Sequence, residues 1–252
     1  MAISTEDILN DIDRKQKEFQ DNNYSTTELL KIITGLRLDW GYFENSLNTE
    51  FDIGSTKPVL LKGLSKEDSK LGKNEKLFQH SENAQLLINT FLIEKRLSRE
   101  LLTRIHSHII EDGGKYRRNK VVVDDQTSVL KTEFSNIDEI ESNIEALVDW
   151  FNQEMVKKEM HPVLIGAIFH YKLVLIHPFS DGNGRLARII TSLILLSYNI
   201  PPPIIKDFDR YEYIASLRNA DSGDIKPLLR FIGKRILFSF DIISSLIAKN
   251  NE

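Results

Sequence analysis

Apolar residues return every three or four positions along most of the chain, which is the spacing that places them on one face of an α-helix. Ile8, Ile12 and Phe19 follow this spacing near the start and predict a first amphipathic helix. We therefore expect an all-α fold. Further helices are predicted over residues 76–95, 98–111, 136–157, 161–175, 184–197, 207–220 and 225–249.

The N-terminal part of the chain divides into a helix and a loop. Ser25 is followed three residues later by Glu28, a capping-box pattern that predicts the start of a helix. Residues 52–74 are rich in Gly, Ser, Lys and Pro and are typical of an exposed loop. The prediction is one compact helical domain, with an N-terminal helical extension over 1–75 and a core with C-terminal helices over 76–252.

One segment interrupts the helical pattern. The stretch RRNKVVVDDQTSVLKTEF contains three consecutive valines, a polar turn and a second apolar run, which predicts a β-hairpin around residues 120–132. An isolated hairpin is only marginally stable in water, so this one must pack on the helical body. We expect its role to be functional, because it adds little to a helical core.

Composition and charge limit the classes of function. The chain has 252 residues, 41% of them hydrophobic, with a net charge of −4 and an isoelectric point near 5.9. These values argue against general binding to nucleic acid or to an anionic membrane. The absence of cysteine excludes disulfides and thiolate chemistry. The charged N-terminus lacks a signal-peptide pattern, and the most apolar run is too short to cross a bilayer, so a cytoplasmic location is predicted.

The segment HPFSDGNGRLAR, residues 177–188, lies between two strongly apolar predicted helices. Pro178 disfavours helical geometry at the residue before it, so the first helix should end at His177. The second pattern resumes around Gly184. Backbone N–H groups of residues 182–184 would then face outward at a helix N-terminus, which favours anions. Phe179 is expected to anchor this loop in the core.

The polar side chains of this segment suit a polyphosphate. Arg185 and Arg188 are three apart and share a helix face, and guanidinium groups bind phosphate through charge-assisted hydrogen bonds. Asp181 offers the oxygen ligand that Mg²⁺ prefers. His177, with an ordinary pKa of ~6.5, can accept a proton near neutral pH. A loop histidine or a DGNG turn alone is more often structural, but the combination predicts nucleotidyl or phosphoryl transfer.

The same segment resembles the signature of the Fic (filamentation induced by cAMP) family, His-x-Phe-x-Asp/Glu-Gly-Asn-Gly/Lys-Arg-x-x-Arg. The similarity extends over roughly residues 76 to 235. It implies an all-α Fic-type core and transfer of AMP from ATP to a hydroxyl side chain of a target protein. The matching positions are His177, Phe179, Asp181, Gly182, Asn183, Gly184, Arg185 and Arg188.

The resemblance also implies a role for each residue of the signature. His177 would deprotonate the target hydroxyl, and Asp181 would bind Mg²⁺. Gly182, Asn183 and Gly184 would form the anion hole for the α- and β-phosphates. Arg185 would hold the phosphate chain, and Arg188 the γ-phosphate.

Two further features are compared with the family. The hairpin over 120–132 resembles the family's flap, which pairs with an extended segment of the target by strand addition. Tyr211 and Tyr213 lie where aromatic residues of an adenine pocket could fall, but the pattern RYEYIASL fits a packed helix equally well.

Many members of the family carry an inhibitory helix with the pattern Ser/Thr-x-x-x-Glu-Gly/Asn, whose glutamate pairs with the second arginine of the signature. Ser46 and Glu50 have this spacing, although Phe51 replaces the expected Gly or Asn. Glu44 is followed by the expected Asn, but Trp40 occupies its Ser/Thr position. A third interpretation is a solvated helix with scattered glutamates. We favour Glu50 as the inhibitory residue.

Three alternatives to adenylyl transfer stay open at this stage. The site could use another nucleotide or phosphate-containing donor, it could remove AMP, or the chain could be a non-catalytic nucleotide-sensing or protein-binding module. An intact His177 and Asp181 count against the last alternative, because a binding module needs no base. The segment FSFDIISSLI of the C-terminal helix could be core or a self-association face that forms a homo-oligomer.

Residues outside the signature are predicted to be structural or to assist docking. His170 lies on the apolar helix before the signature and is interpreted as a core residue with satisfied hydrogen bonds. His106 and His108 are two apart, point to different faces of a helix and are poor joint metal ligands. The cluster KYRRNK, residues 115–120, is a small basic patch that could help a target protein dock.

Overall fold

The computed structural model describes residues 4–21, 90–110, 113–121 and 134–250, and the regular secondary structure of these residues is helical with no strand. The predicted all-α fold is therefore confirmed for this part of the chain. Residues 90–94 are helical, and short 3₁₀ turns over Ile137–Glu139 and Asp207–Asp209 precede the helices that begin at Ile140 and Arg210. The helices are α1 (Thr5–Asp21), α2 (Arg99–Ile109), α3 (Ile140–Lys157), α4 (Pro162–Ile176), α5 (Asn183–Ser197), α6 (Arg210–Asp221) and α7 (Lys226–Asn250).

Helices α4 and α5 pack against each other at the centre of the fold. The apolar residues of α4 lie on all of its faces, which is the pattern of a helix buried within a core. Gly166 lets α5 come close, because a Cβ atom there would lie 3.3 Å from Cγ2 of Thr191. Helix α4 begins at Pro162. Its N-cap is His161, whose Nδ1 accepts a hydrogen bond from the N–H of Val163 (3.1 Å). The loop that joins α4 to α5 carries residues 177–182.

One side of this central pair is covered by α2 and α3. Its core is rich in aromatic side chains that are completely buried. The rings of Phe91 and Phe151 have centroids 6.1 Å apart, and Phe151 meets Phe169 edge to face at 5.6 Å. Phe179 from the loop joins this core, as the sequence predicted. The loop is therefore anchored by the packing of Phe179 in this core.

The other side is covered by α1, α6 and α7. Ile8 and Ile12 of α1 are buried against α7, and the contact is close at Gly233, where a Cβ atom would lie 2.4 Å from Cγ2 of Ile8. The N-terminal helix thus belongs to the same packed unit as the C-terminal helix. The division into an extension over 1–75 and a core over 76–252 stays a prediction.

His170 lies inside the fold and is a satisfied core residue, which confirms the prediction. Thr191 donates its hydroxyl proton to the carbonyl of Ala187 (2.7 Å) and so accepts from Nδ1 of His170 (3.1 Å). The hydroxyl of Tyr213 then donates to Nε2 (2.8 Å). Complete burial lowers the pKa of His170 to about 3, with the nearby Arg188 charge acting in the same direction. The imidazole is therefore neutral at physiological pH.

None of the helices within the described ranges combines the length and the apolar character needed to span a membrane.

Candidate active site

The loop between α4 and α5 begins with a histidine in an uncommon backbone conformation. His177 is the C-cap of α4, with φ 50° and ψ 58° in the left-handed region. Its backbone N–H still donates to the carbonyl of Leu173 (3.1 Å). A non-glycine residue in this conformation costs about 1–2 kcal/mol, and Pro178 keeps the chain from continuing as a helix. The surrounding contacts must therefore hold the histidine in place.

The side chain of His177 is arranged as a proton acceptor. Nδ1 lies 3.3 Å from the carbonyl of Val174 and donates to it, since a carbonyl can only accept. Nε2 is then the atom with a free lone pair. The ring packs against Phe134, with centroids 4.1 Å apart. Burial lowers the pKa of His177 to about 4, and the positive charge of Arg117 acts in the same direction. The imidazole is neutral at pH 7 and able to take a proton.

Asp181 presents a carboxylate to solvent, with 76% of its side chain exposed. Oδ1 accepts the N–H of Gly182 (2.6 Å), and Oδ2 accepts Nη2 of Arg185 (3.1 Å). No group of three acidic or histidine residues within the described ranges could hold a metal by itself. One exposed carboxylate fits a Mg²⁺ ion whose remaining ligands are phosphate oxygens and water. The donor set therefore suits a cation that binds together with a polyphosphate.

The N-terminus of α5 presents uncapped backbone N–H groups beside this carboxylate. Gly182 is the N-cap, with φ 76° and no side chain to cap the helix. The first intrahelical bond runs from the N–H of Leu186 to the carbonyl of Gly182 (2.9 Å). A Cβ atom at Gly182 would lie 2.8 Å from Cγ1 of Ile110, so glycine is required both by backbone conformation and by space. The N–H groups of residues 183–185 are thus available to an anion.

Asn183 has a different side-chain role from the one that its position suggests. Its buried amide makes two hydrogen bonds to Phe179, in which Oδ1 accepts the N–H (2.9 Å) and Nδ2 donates to the carbonyl (2.7 Å). The side chain closes the loop upon itself, and both of its polar atoms are used by Phe179. Only the backbone N–H of Asn183 can take part in an anion hole.

The two arginines lie on the same face at the start of α5. Arg185 is largely buried and is paired with Asp181. Nη1 of Arg188 lies over Gly184, because a Cβ atom on that glycine would be 3.4 Å from it. A side chain at residue 184 would therefore crowd the Arg188 guanidinium. The structure places the base and the carboxylate on the loop, and the uncapped helix end and both cations at the start of the helix that follows it.

His106 is a site residue that sequence reasoning missed. Its Nδ1 accepts the N–H of Gly114 (2.9 Å), so Nε2 carries the proton and donates to the carbonyl of Asp181 (2.9 Å). The ring stacks on Phe179 at 3.7 Å with an interplanar angle of 6°. Burial lowers its pKa, which favours this neutral form. The available sequence signal was the position of His106 four residues after the apolar Leu102, which places both on one face of a helix.

Arg117 was also missed, since KYRRNK was interpreted as a basic patch for docking. The structure corrects this for Arg117, which is only 4% exposed. Its Nε donates to the carbonyl of His177 (2.7 Å), and its backbone N–H donates to the carbonyl of Pro178 (2.9 Å). Both of these partners are backbone carbonyls about 60 positions away along the chain. No local sequence signal could have identified them.

Comparison with known proteins places this site in a family. The sequence profile of the Fic/DOC family matches residues 96–195, which include the whole loop and both arginines. The chain belongs to the Fic/DOC family. It is 31% identical over 209 residues to Protein adenylyltransferase Fic of Nematostella vectensis, covering 77% of this chain and 46% of that protein. It is 31% identical over 190 residues to Protein adenylyltransferase fic-1 of Caenorhabditis briggsae, covering 72% of this chain and 36% of that protein.

The fold agrees with solved structures of Fic proteins. Fic-1 from Caenorhabditis elegans superposes with a TM-score of 0.79 at 25% identity, over 98% of this chain and 73% of that one. A Fic domain containing signaling protein from Bacteroides thetaiotaomicron superposes with a TM-score of 0.78 at 23% identity, over 94% of this chain and 96% of that one. The Fic-type helical fold is therefore confirmed. The chain spans less than half the length of the adenylyltransferases of Nematostella vectensis and Caenorhabditis briggsae.

Three further predictions about this Fic domain have different outcomes. Tyr213 is packed in the core against His170, so the packed-helix interpretation holds for it, whereas Tyr211 is 81% exposed. The segment with Ser46, Glu50 and the rival Glu44 lies outside the described residues. So does the flap, apart from its first two residues.

Proposed function

We propose that this Fic protein is an adenylyltransferase that moves AMP from ATP to a hydroxyl side chain of a target protein. The observation that carries the proposal is the juxtaposition of a neutral, proton-accepting His177 with the uncapped N-terminus of α5. A base and a phosphate-binding helix end on one loop serve transfer better than binding alone. The names of the relatives, Protein adenylyltransferase Fic and fic-1, point to the same reaction.

In the proposed reaction, His177 acts on the hydroxyl group that attacks. Nε2 takes the hydroxyl proton while the oxygen forms a bond to the α-phosphorus of ATP. The bond from that phosphorus to the bridging oxygen breaks, and pyrophosphate leaves with the electron pair. The hydrogen bond from Nδ1 to Val174 keeps Nε2 as the accepting atom.

The phosphates would lie over the first turn of α5. Backbone N–H groups of residues 182–184 would bind the α- and β-phosphates, with the N–H of Gly182 exchanging its bond to Asp181 for one to phosphate. Arg185 would hold the phosphate chain and Arg188 the γ-phosphate. Asp181 would hold Mg²⁺, which when bound neutralises phosphate charge. Arg185 already contacts the Asp181 carboxylate, so arrival of the cation and the nucleotide would replace this ion pair by contacts of each side chain with its ligand.

Other parts of the proposal concern partners and regulation. The target protein is proposed to dock on the flap, and the protein is proposed to work in the cytoplasm without nucleic acid or membrane. Self-association into a homo-oligomer is part of the same proposal.

Glu50, supported by Ser46, is proposed to inhibit ATP binding by pairing with Arg188, because a carboxylate there would compete with the γ-phosphate.

The direct test is the intact mass of the purified protein after incubation with ATP and Mg²⁺. We expect an AMP adduct on Glu50→Gly, a smaller one on wild type, and none when His177→Ala is added to Glu50→Gly. Glu44→Gly is the matched control and should behave as wild type. An undiminished adduct without His177 would refute the base, and equal adducts on Glu50→Gly and wild type would refute the inhibitory residue. Adducts from GTP, CTP or UTP but not ATP would refute the donor.

A further inference from the structure

We propose that Arg117 is a positioning residue that fixes the orientation of His177 for transfer. The inference rests on the proposed function, since it concerns the histidine that acts as base there. Arg117 belongs to the segment of residues 113–121 between α2 and α3, and it is 60 positions away from His177 along the chain. Within the described residues, its hydrogen bonds reach neither the phosphate-binding turn of α5 nor Asp181.

One residue binds two consecutive carbonyl groups at the start of the loop. The Nε–H of Arg117 donates to the carbonyl of His177 (2.7 Å), and its backbone N–H donates to the carbonyl of Pro178 (2.9 Å). These carbonyls follow the end of α4, where helical partners are lacking. The two bonds fix the peptide groups on both sides of Pro178. They therefore hold His177 in its left-handed conformation, which is unfavourable in isolation.

The two terminal nitrogens of the guanidinium bind backbone carbonyls near the aromatic ring that packs on His177. Nη1 donates to the carbonyl of Asn119 (3.1 Å), and Nη2 donates to the carbonyl of Ser135 (2.5 Å). Ser135 follows Phe134, whose ring packs on the ring of His177 at 4.1 Å. Arg117 therefore fixes the backbone of the histidine and also the residue next to the aromatic that covers it. Changing Arg117 should change the position and the hydration of the imidazole.

The cost of burying a charge supports a specific role for this arginine. A guanidinium removed from water is unfavourable unless its N–H groups are satisfied. Here three donors meet three carbonyl oxygens from three separate places in the chain, a geometry that a single lysine ammonium cannot reproduce. Its charge also opposes protonation of His177, whereas the Asp181 charge favours it.

The test compares three variants by two independent measurements. Arg117→Met removes the charge and all three side-chain bonds, Arg117→Lys keeps the charge, and Arg118→Met is the control because Arg118 is the exposed neighbour. The first measurement is NMR titration of ¹³C-labelled histidine rings, with His177 assigned through His177→Ala. We expect the pKa of His177 in Arg117→Met to rise from about 4 by about one unit, with little change in Arg118→Met.

The second measurement separates positioning from binding. In the Glu50→Gly background, single-turnover AMP transfer at saturating ATP should fall about tenfold or more in both Arg117 variants. The Kd for ATP, measured by calorimetry, should stay within about threefold of the parent. An equal loss of ATP affinity and rate would overturn the proposal, because it would indicate a general effect on the fold. An unchanged His177 titration together with an unchanged rate would also overturn it.

Failure of the proposed function would look different from failure of this inference. If the parent protein transferred no AMP, adenylyl transfer would be refuted, but the ring titration would still decide whether Arg117 controls His177. If Arg117→Met did not fold, Arg117→Lys would provide the same comparison with the charge retained. If the NMR shifts of the His177 ring and the rate of AMP transfer in Arg117→Lys equalled those of the parent, the three hydrogen bonds from Arg117 to carbonyl groups would not be needed, and the inference would be refuted.

Discussion

Replacing His170 by glutamine is expected to make the stability of the protein less sensitive to mild acid. His170 is completely buried as a neutral imidazole between Thr191 and Tyr213, and its pKa is lowered to about 3. Glutamine does not titrate, and its amide can accept from the tyrosine and donate to the threonine. The change therefore removes a proton-binding site while retaining polar groups of the same kind.

The size of the effect follows from proton linkage. In the unfolded chain His170 has its ordinary pKa of 6.5, so acidification from pH 7 to pH 5 protonates it and stabilises the unfolded state by about 2 kcal/mol. The folded state gains nothing, because its pKa lies below this range. The contribution is fully present above pH 6.5 and is lost as the pH falls towards 3. His170→Gln should thus lose about 2 kcal/mol less than wild type between pH 7 and pH 5.

The assay is urea denaturation at both pH values, followed by circular dichroism. The change in the free energy of unfolding between pH 7 and pH 5 is compared between His170→Gln and wild type, because carboxylates and His177 titrate in both proteins. Tyr213→Phe is the matched control, since it removes one hydrogen bond to His170 but keeps the imidazole. It should lower the free energy of unfolding by about 1–3 kcal/mol at both pH values and keep the wild-type difference between them.

Two results would refute this reasoning. If His170→Gln lost as much stability between pH 7 and pH 5 as wild type, His170 would not be neutral and buried in the folded state. If Tyr213→Phe abolished the difference instead, the hydrogen bond and not burial would set the pKa of His170.

Two further predictions concern packing and loop closure. Gly233→Ala should cost about 1–3 kcal/mol of stability, because its Cβ would lie 2.4 Å from Cγ2 of Ile8; in a double-mutant cycle with Ile8→Ala the two losses should be less than additive, and strict additivity would contradict the contact. Asn183→Ala should cost about 2 kcal/mol or more, since both backbone groups of Phe179 lose their partner. Asn183→Asp should fall between alanine and wild type in urea denaturation, because it keeps the acceptor only, and wild-type stability would argue against the two-bond closure.

The helices and the composition of the site could be predicted because both depend on local sequence. The second apolar pattern was predicted to start near Gly184, and α5 starts at Asn183. Pro178 predicted that His177 would leave the helix, and the structure shows it at the C-cap. These features follow from the residues themselves and from their immediate neighbours.

Interactions between distant segments could not be predicted in this way. Arg117 was grouped with its basic neighbours because local sequence shows charge and not which carbonyls will surround it. The pairing of Tyr213 with His170 depends on how α6 crosses α4, and the pattern RYEYIASL left two interpretations open. Asn183 was assigned to anion binding through its place in the signature, while its side chain instead binds Phe179.

The close contact between α1 and α7 also has a consequence during synthesis on the ribosome. Ile8 and Gly233 are separated by 225 positions, and at typical translation rates of 5–20 residues per second the second is made about 10 to 45 s after the first. During that interval the apolar face of α1 has no α7 to cover it and is accessible to chaperones. Substitutions at this contact should therefore lower the yield of folded protein in cells more than they change the chemistry of the finished molecule.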